Sequence, residues 1–226
     1  MLPLRGRRTR REEGPSLSVT DLESSLVAEF SVLTVCTGNI CRSPMAEQIL
    51  RARLADLPEL EFSSAGTYAG DGDVMPEQAA ALSLRHGGDP TSHRARYLTE
   101  PILGSADLVL GMSRNHRREI VELLPKKISV TFTLREFARL SADVTDGEIR
   151  HAASMGLTVK ASLAEVVALV ASRKGQFGLV TSAEDDDVVD PYKRSDETYE
   201  RSAQQLVPAA EQVARVLRVA VEASRA

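Results

Sequence analysis

The stretch Ser31-Val32-Leu33-Thr34-Val35-Cys36-Thr37-Gly38-Asn39-Ile40-Cys41-Arg42-Ser43-Pro44-Met45-Ala46-Glu47 decides how this chain is read. Ser31–Val35 is apolar and β-branched, so it reads as a buried strand. Gly38 lies in the turn that follows. Pro44 suits the first turn of a helix reaching about Leu54, and Ser43 before it suits the N-cap. A strand, a short glycine-bearing loop and a helix N-terminus gather unpaired backbone N–H groups around Cys36. Such a ring cradles an anion, because the donors and the positive end of the helix dipole converge there. The same field favours a thiolate over a thiol. Arg42 adds a planar fork of donors that suits two phosphoryl oxygens. A nucleophile, donors for developing charge and a positioning group therefore share one turn. A cysteine and an arginine at this spacing carry little alone; the whole string at a strand-to-helix junction carries much more.

Working outward, strand-like and helix-like segments alternate. Glu61–Ala65, Ala106–Leu110 and Ile128–Phe132 read as strands, and Leu179–Thr181 as a weak one. Glu77–Arg85 reads as a helix stopped by His86-Gly87-Gly88-Asp89-Pro90. Ser113 caps a helix reaching Leu124, and Thr133-Leu134-Arg135-Glu136 is a capping box. The last helix starts near Glu197, with Tyr199, Ala203, Leu206, Ala210, Val213, Leu217 and Ala220 on one face. Pro208 inside it predicts a kink or a break. The alternation implies an α/β fold: a doubly wound parallel sheet of about four strands, helices on both faces. Residues 146–178 read as an extra helical insertion, in which Ser162 opens a helix with Leu163, Val166, Val167 and Val170 on one side. Residues 1–30 form a basic extension carrying Arg5, Arg7, Arg8, Arg10 and Arg11. They are expected to be disordered or weakly structured, with a short helix at Asp21–Phe30, leaving 31–226 as the catalytic domain.

Of 226 residues, 42% are hydrophobic and 27% charged, which is globular composition. A formal net charge of −4 argues against a general nucleic-acid binder. No apolar run approaches the roughly 20 residues of a membrane span. Cys36 and Cys41 make no disulfide framework and no zinc spacing, so no metal is expected and a reducing cytoplasm is the natural location. His86, His93, His116 and His151 have no ligand spacing and read as solvent-facing or packing residues. Asp185-Asp186-Asp187 reads as a solvated acidic turn, or else as a device that repels acidic substrates or orients the catalytic loop.

The string CTGNICRSPMAE resembles the phosphate loop of the low-molecular-weight protein tyrosine phosphatases. Ser64-Ala65-Gly66-Thr67, His93-Arg94-Ala95-Arg96, Ala106-Asp107 and Asp190-Pro191-Tyr192 match that family in order. The resemblance implies a flavodoxin-like fold and a two-step, cofactor-free and metal-free phosphomonoester hydrolysis. It makes Cys36 the nucleophile that forms a phosphocysteine, and Arg42 the residue holding the phosphoryl group. Thr37, Gly38, Asn39, Ile40, Cys41, Arg42 and Ser43 would line the phosphate site. Asn39 braces the loop, Ser43 helps the thiolate leave, and Asp190 is the general acid and base. Tyr68 and Tyr192 would form the entrance for a phosphotyrosine protein, with inorganic phosphate or vanadate as ligands. Cys36 and Cys41 would pair on oxidation, or Cys41 is simply a small buried residue. The chain departs from the family in Ala69-Gly70-Asp71-Gly72 after Tyr68, in Lys193 after Tyr192, and in the length between Lys126 and Asp190. The rivals are a phosphoarginine phosphatase, whose branch has Thr where this chain has Ile40, an arsenate reductase, which needs further cysteines, and a non-catalytic phosphate-binding scaffold.

Overall fold

The computed structural model describes residues 30–174 and 183–226; the N-terminal extension to residue 29 and the strand expected at Leu179–Thr181 lie outside them. Four parallel strands form one sheet: β1 (Phe30–Cys36), β2 (Leu60–Gly66), β3 (Leu108–Gly111) and β4 (Thr131–Thr133), in the order β2-β1-β3-β4. Eight α-helices are described: α1 (Arg42–Arg53), α2 (Glu77–Arg85), α3 (Glu100–Ser105), α4 (Arg114–Leu123), α5 (Leu134–Ser141), α6 (Asp146–Ala153), α7 (Val159–Ser172) and α8 (Asp196–Ser224). Alternation along β1 sends its side chains into two cores. Phe30 and Val32 pack with residues of α1, α5, α6, α7 and α8. Leu33 and Val35 pack on the other face with Leu103 of α3 and Ile120 of α4. Two covered faces explain why β1 and β3 are near-continuous apolar runs.

Several boundaries differ from the sequence reading. Helix α1 begins at Arg42 with Cys41 as N-cap, so Ser43 lies inside the helix with its hydroxyl free for other partners. β4 is shorter than Ile128–Phe132, because Pro125–Val130 winds into a 3-10 helix and leaves Ile128 exposed. Helix α7 starts at Val159, capped by Thr158, whose hydroxyl accepts the Ala161 N–H; Ser162 is buried within it. Helix α8 runs unbroken through Pro208. Buried residues on both sides of the proline, from Leu206 to Val213, hold the helix together where one hydrogen bond is lost.

The segment read as an insertion is not a decoration on the sheet. Ile149, Ala153, Leu163, Val166, Val167 and Val170 are buried in the same core as the strands and α8. Lys160 of α7 pairs with Asp107 at 2.6 Å, and Asp107 also accepts the Ser31 N–H. Both lie at the N-terminal ends of β1 and β3, opposite the strand ends that carry Cys36.

Candidate active site

In an open parallel sheet, ligands bind beyond the carboxyl ends of the strands where the strand order reverses, here between β1 and β3. The loop from Cys36 to Arg42 occupies that position. Its shape is fixed by Asn39, a buried residue held at a φ of 53°, a left-handed conformation uncommon for a side-chain-bearing residue. Four contacts of its side chain and carbonyl hold it. The Asn39 amide donates to Ser43 Oγ at 3.0 Å and Ser64 Oγ at 2.8 Å. Its side-chain oxygen accepts the Arg96 N–H at 2.9 Å, and its carbonyl lies 2.7 Å from His93 Nε2. Gly66 completes the fit, since a Cβ there would lie 2.4 Å from the Thr37 carbonyl.

Inside the loop the Cys36 sulfur lies 3.0 Å from Ser43 Oγ and accepts the Asn39 N–H at 3.3 Å. Cys41 is also a free, buried cysteine. Burial, and then the neighbouring Cys36, push its thiol up to about 12. Tyr199 beside it is likewise pushed up to about 12, chiefly by burial.

Arg42 extends from α1 toward a segment near the far end of the chain. Its Nη1 donates to the Val188 carbonyl at 3.1 Å, and its Nη2 pairs with Asp190 at 2.7 Å. Its buried Nε has no partner among the described residues. The 186–190 segment is strapped across the ends of β3 and β4. Val188 donates its N–H to the Met112 carbonyl, and Thr133 Oγ1 donates to the Asp186 carbonyl. The acidic run is solvated only in part: Asp185 is exposed, Asp187 half-buried and Asp186 buried. Asp186 is buried in a two-pronged ion pair with Arg139 at 3.0 and 2.9 Å, and Asp187 accepts the Arg114 N–H at the start of α4. These contacts fix where Asp190 stands.

Cys36, Thr37, Gly38, Ile40, Cys41, Arg42, Tyr68, Asp190 and Tyr192 line a single cleft of about 320 Å³, together with Gly70 and Asp73. Asn39 and Ser43 lie behind it as braces. Among the described residues no His/Cys/Asp/Glu cluster is arranged to hold a metal ion, and no helix is long and apolar enough to cross a membrane.

The sequence pattern of the family described as low molecular weight phosphotyrosine protein phosphatase matches residues 31–177. The chain belongs to that family. Among sequence relatives of this phosphatase, a probable low molecular weight protein-tyrosine-phosphatase EpsP from Ralstonia solanacearum is 39% identical over 113 residues, covering 50% of this chain and 76% of the relative. A protein-arginine-phosphatase from Geobacillus stearothermophilus is 38% identical over 120 residues, covering 53% and 76%. Among solved structures, a low molecular weight protein tyrosine phosphatase from T. tengcongensis superposes with a TM-score of 0.57 at 30% identity, covering 82% of this chain and 97% of that one. The YwlE arginine phosphatase from Geobacillus stearothermophilus superposes with a TM-score of 0.58 at 27% identity, covering 84% and 93%.

The sequence reading of this phosphatase missed two histidines. The sequence offers His93 and His116 only as packing or solvent-facing residues, yet each touches the phosphate loop, His93 at Asn39 and His116 at Thr37. A signal for His116 is present in the sequence: it stands three residues after the Ser113 cap, in a first turn that faces the strand ends.

Proposed function

We propose that the chain hydrolyses phosphotyrosine in protein substrates through a phosphocysteine intermediate. The Cys36 thiolate attacks phosphorus, a sulfur–phosphorus bond forms, and the bond to the tyrosine oxygen breaks as Asp190 gives that oxygen a proton. Arg42 and the loop N–H groups hold the three phosphoryl oxygens as charge moves onto them. Asp190 then takes a proton from water, whose oxygen attacks phosphorus, and Cys36 leaves as a thiolate that accepts a hydrogen bond from Ser43. No cofactor enters. The observation that carries this reading is that Cys36, Arg42 and Asp190, from opposite ends of the chain, line one cleft between Tyr68 and Tyr192. The two aromatic rings suit a phenyl ester. A reducing compartment such as the cytoplasm suits a site whose two cysteines work as free thiols.

Similarity to arginine phosphatases favours a second reading, hydrolysis of phosphoarginine. Ile40, an apolar wall of the cleft, favours tyrosine over it. Turnover of matched phosphotyrosine and phosphoarginine peptides tests the choice. The expected result is kcat/KM at least about tenfold higher for phosphotyrosine, the scale of a modest pocket discrimination; a preference for phosphoarginine would overturn it.

A further inference from the structure

The reaction proposed above leaves unused a polar chain that runs under the loop from α4. The His116 imidazole is 3% exposed, and both of its ring nitrogens have partners. Nε2 lies 2.9 Å from Thr37 Oγ1, and Nδ1 lies 2.8 Å from Ser113 Oγ. Ser113 Oγ also accepts the backbone N–H of His116 at 3.3 Å, as the cap of α4. Burial, and then Arg42, pull the imidazole down to about 4, so near neutrality the ring carries one N–H.

One N–H allows two directions for the chain. With the proton on Nδ1, Ser113 Oγ would accept two N–H bonds, its own hydrogen would turn to the solvent that half-buried Ser113 meets, and the Thr37 hydroxyl would be spent donating to Nε2. With the proton on Nε2, the Ser113 hydroxyl donates to Nδ1 and Nε2–H donates to Thr37 Oγ1. Every donor of Ser113 and His116 is then paired. The hydrogen left over belongs to the Thr37 hydroxyl, and Thr37 is an exposed residue that lines the cleft with Cys36 and Arg42.

Resting on the phosphatase reading above, we propose that His116, set by Ser113, is a positioning residue that turns the Thr37 hydroxyl into a fixed donor to a bound phosphoryl oxygen. Thr37 thereby adds a side-chain donor to a cradle otherwise built from backbone N–H groups and Arg42. The hydroxyl needs no reorganisation when substrate arrives, because its oxygen is already held from behind. A donor fixed before the charge develops is worth more than one that must turn toward it.

A double-mutant cycle tests the coupling. Thr37→Val keeps the shape and removes the hydroxyl; it is expected to lower kcat/KM for p-nitrophenyl phosphate about tenfold and to weaken inhibition by inorganic phosphate by a similar factor, the scale of one hydrogen bond to a charged group. His116→Leu is expected to do the same. The two together are expected to lose no more than either alone. His116→Gln, whose amide N–H reaches the place of Nε2, is expected to keep most of the activity. A packing role for His116 would make the losses multiply, and that result overturns the proposal. So does a Thr37→Val protein with unchanged phosphate inhibition. Where His116→Leu fails to fold, Ser113→Ala takes its place in the same cycle with the same criterion. Should the wild-type protein turn over no phosphomonoester, the phosphatase reading fails, and the cycle run on calorimetric binding of inorganic phosphate still decides this one.

Discussion

Asp190 and Arg42 form an ion pair in which the arginine side chain is 6% and the aspartate side chain 53% exposed. In the proposed mechanism the guanidinium that holds Asp190 also takes the phosphoryl group, so substrate would compete with Asp190 for it and free the carboxyl group beside the leaving oxygen. Asp190→Asn is accordingly expected to slow phenyl phosphate cleavage by about 10²–10⁴-fold, the usual worth of a general acid, and to affect p-nitrophenyl phosphate far less. Equal losses on both substrates, measured as kcat, would take the proton-donor role from Asp190. His116 makes a stability prediction of definite sign. Its pKa falls from 6.5 to about 4 on folding, so between those values the unfolded chain binds a proton that the folded protein refuses. Stability is full above pH 6.5 and is lost as pH falls toward 4, by up to about 3 kcal/mol. Thermal unfolding of the wild type is expected to drop more steeply from pH 7 to pH 4.5 than that of His116→Gln; parallel curves would contradict it. Cys36, Asn39, Arg42 and Ser43 were legible because their chemistry is written in one contiguous string. His116 and Asp186 were not, because each acquires its partners, Thr37 and Arg139, only through the sheet.

Helices α6 and α7 show what periodicity reads and what it does not. The apolar face of Leu163, Val166, Val167 and Val170 announces a helix, but no local signal says which core receives it. The structure joins it to α8 and the sheet, with Leu163 fully buried. Leu163→Ala is expected to cost about 2–5 kcal/mol, the range for emptying a buried leucine site. A loss below about 1 kcal/mol in urea unfolding would mean that α7 is a surface addition. The same gap between local and tertiary information explains β4. Ile128–Val130 has strand-like composition, yet Pro125 winds the chain into a 3-10 turn, and pairing with β3 begins only at Thr131. At the start of α1 the N-cap is Cys41 rather than Ser43, whose hydroxyl is committed to Cys36 and Asn39.

Across the whole molecule, strand order does the assembly. Alternating strands and helices made the parallel sheet readable, and the order β2-β1-β3-β4 places the loop after β1 beside the ends of β3 and β4. The 186–190 segment, far away in sequence, is tied to those same ends through Met112 and Thr133 and so delivers Asp190 to Arg42. The lengthened region between β4 and this segment adds α6 and α7 on the α8 side, and the start of α7 lies under the opposite end of the sheet, where Lys160 meets Asp107. The proposed hydrolysis needs no metal and is carried by the Cys36 sulfur in a cradle made mostly of backbone. Its most direct test is steady-state hydrolysis of p-nitrophenyl phosphate in EDTA by the wild type and by Cys36→Ser, with vanadate binding measured on both. The account predicts turnover by the wild type, a loss of roughly 10³-fold or more in the variant, on the scale of removing an essential nucleophile, and vanadate binding by both proteins. Turnover by Cys36→Ser within about tenfold of the wild type, less than general acid–base help alone supplies, would contradict it.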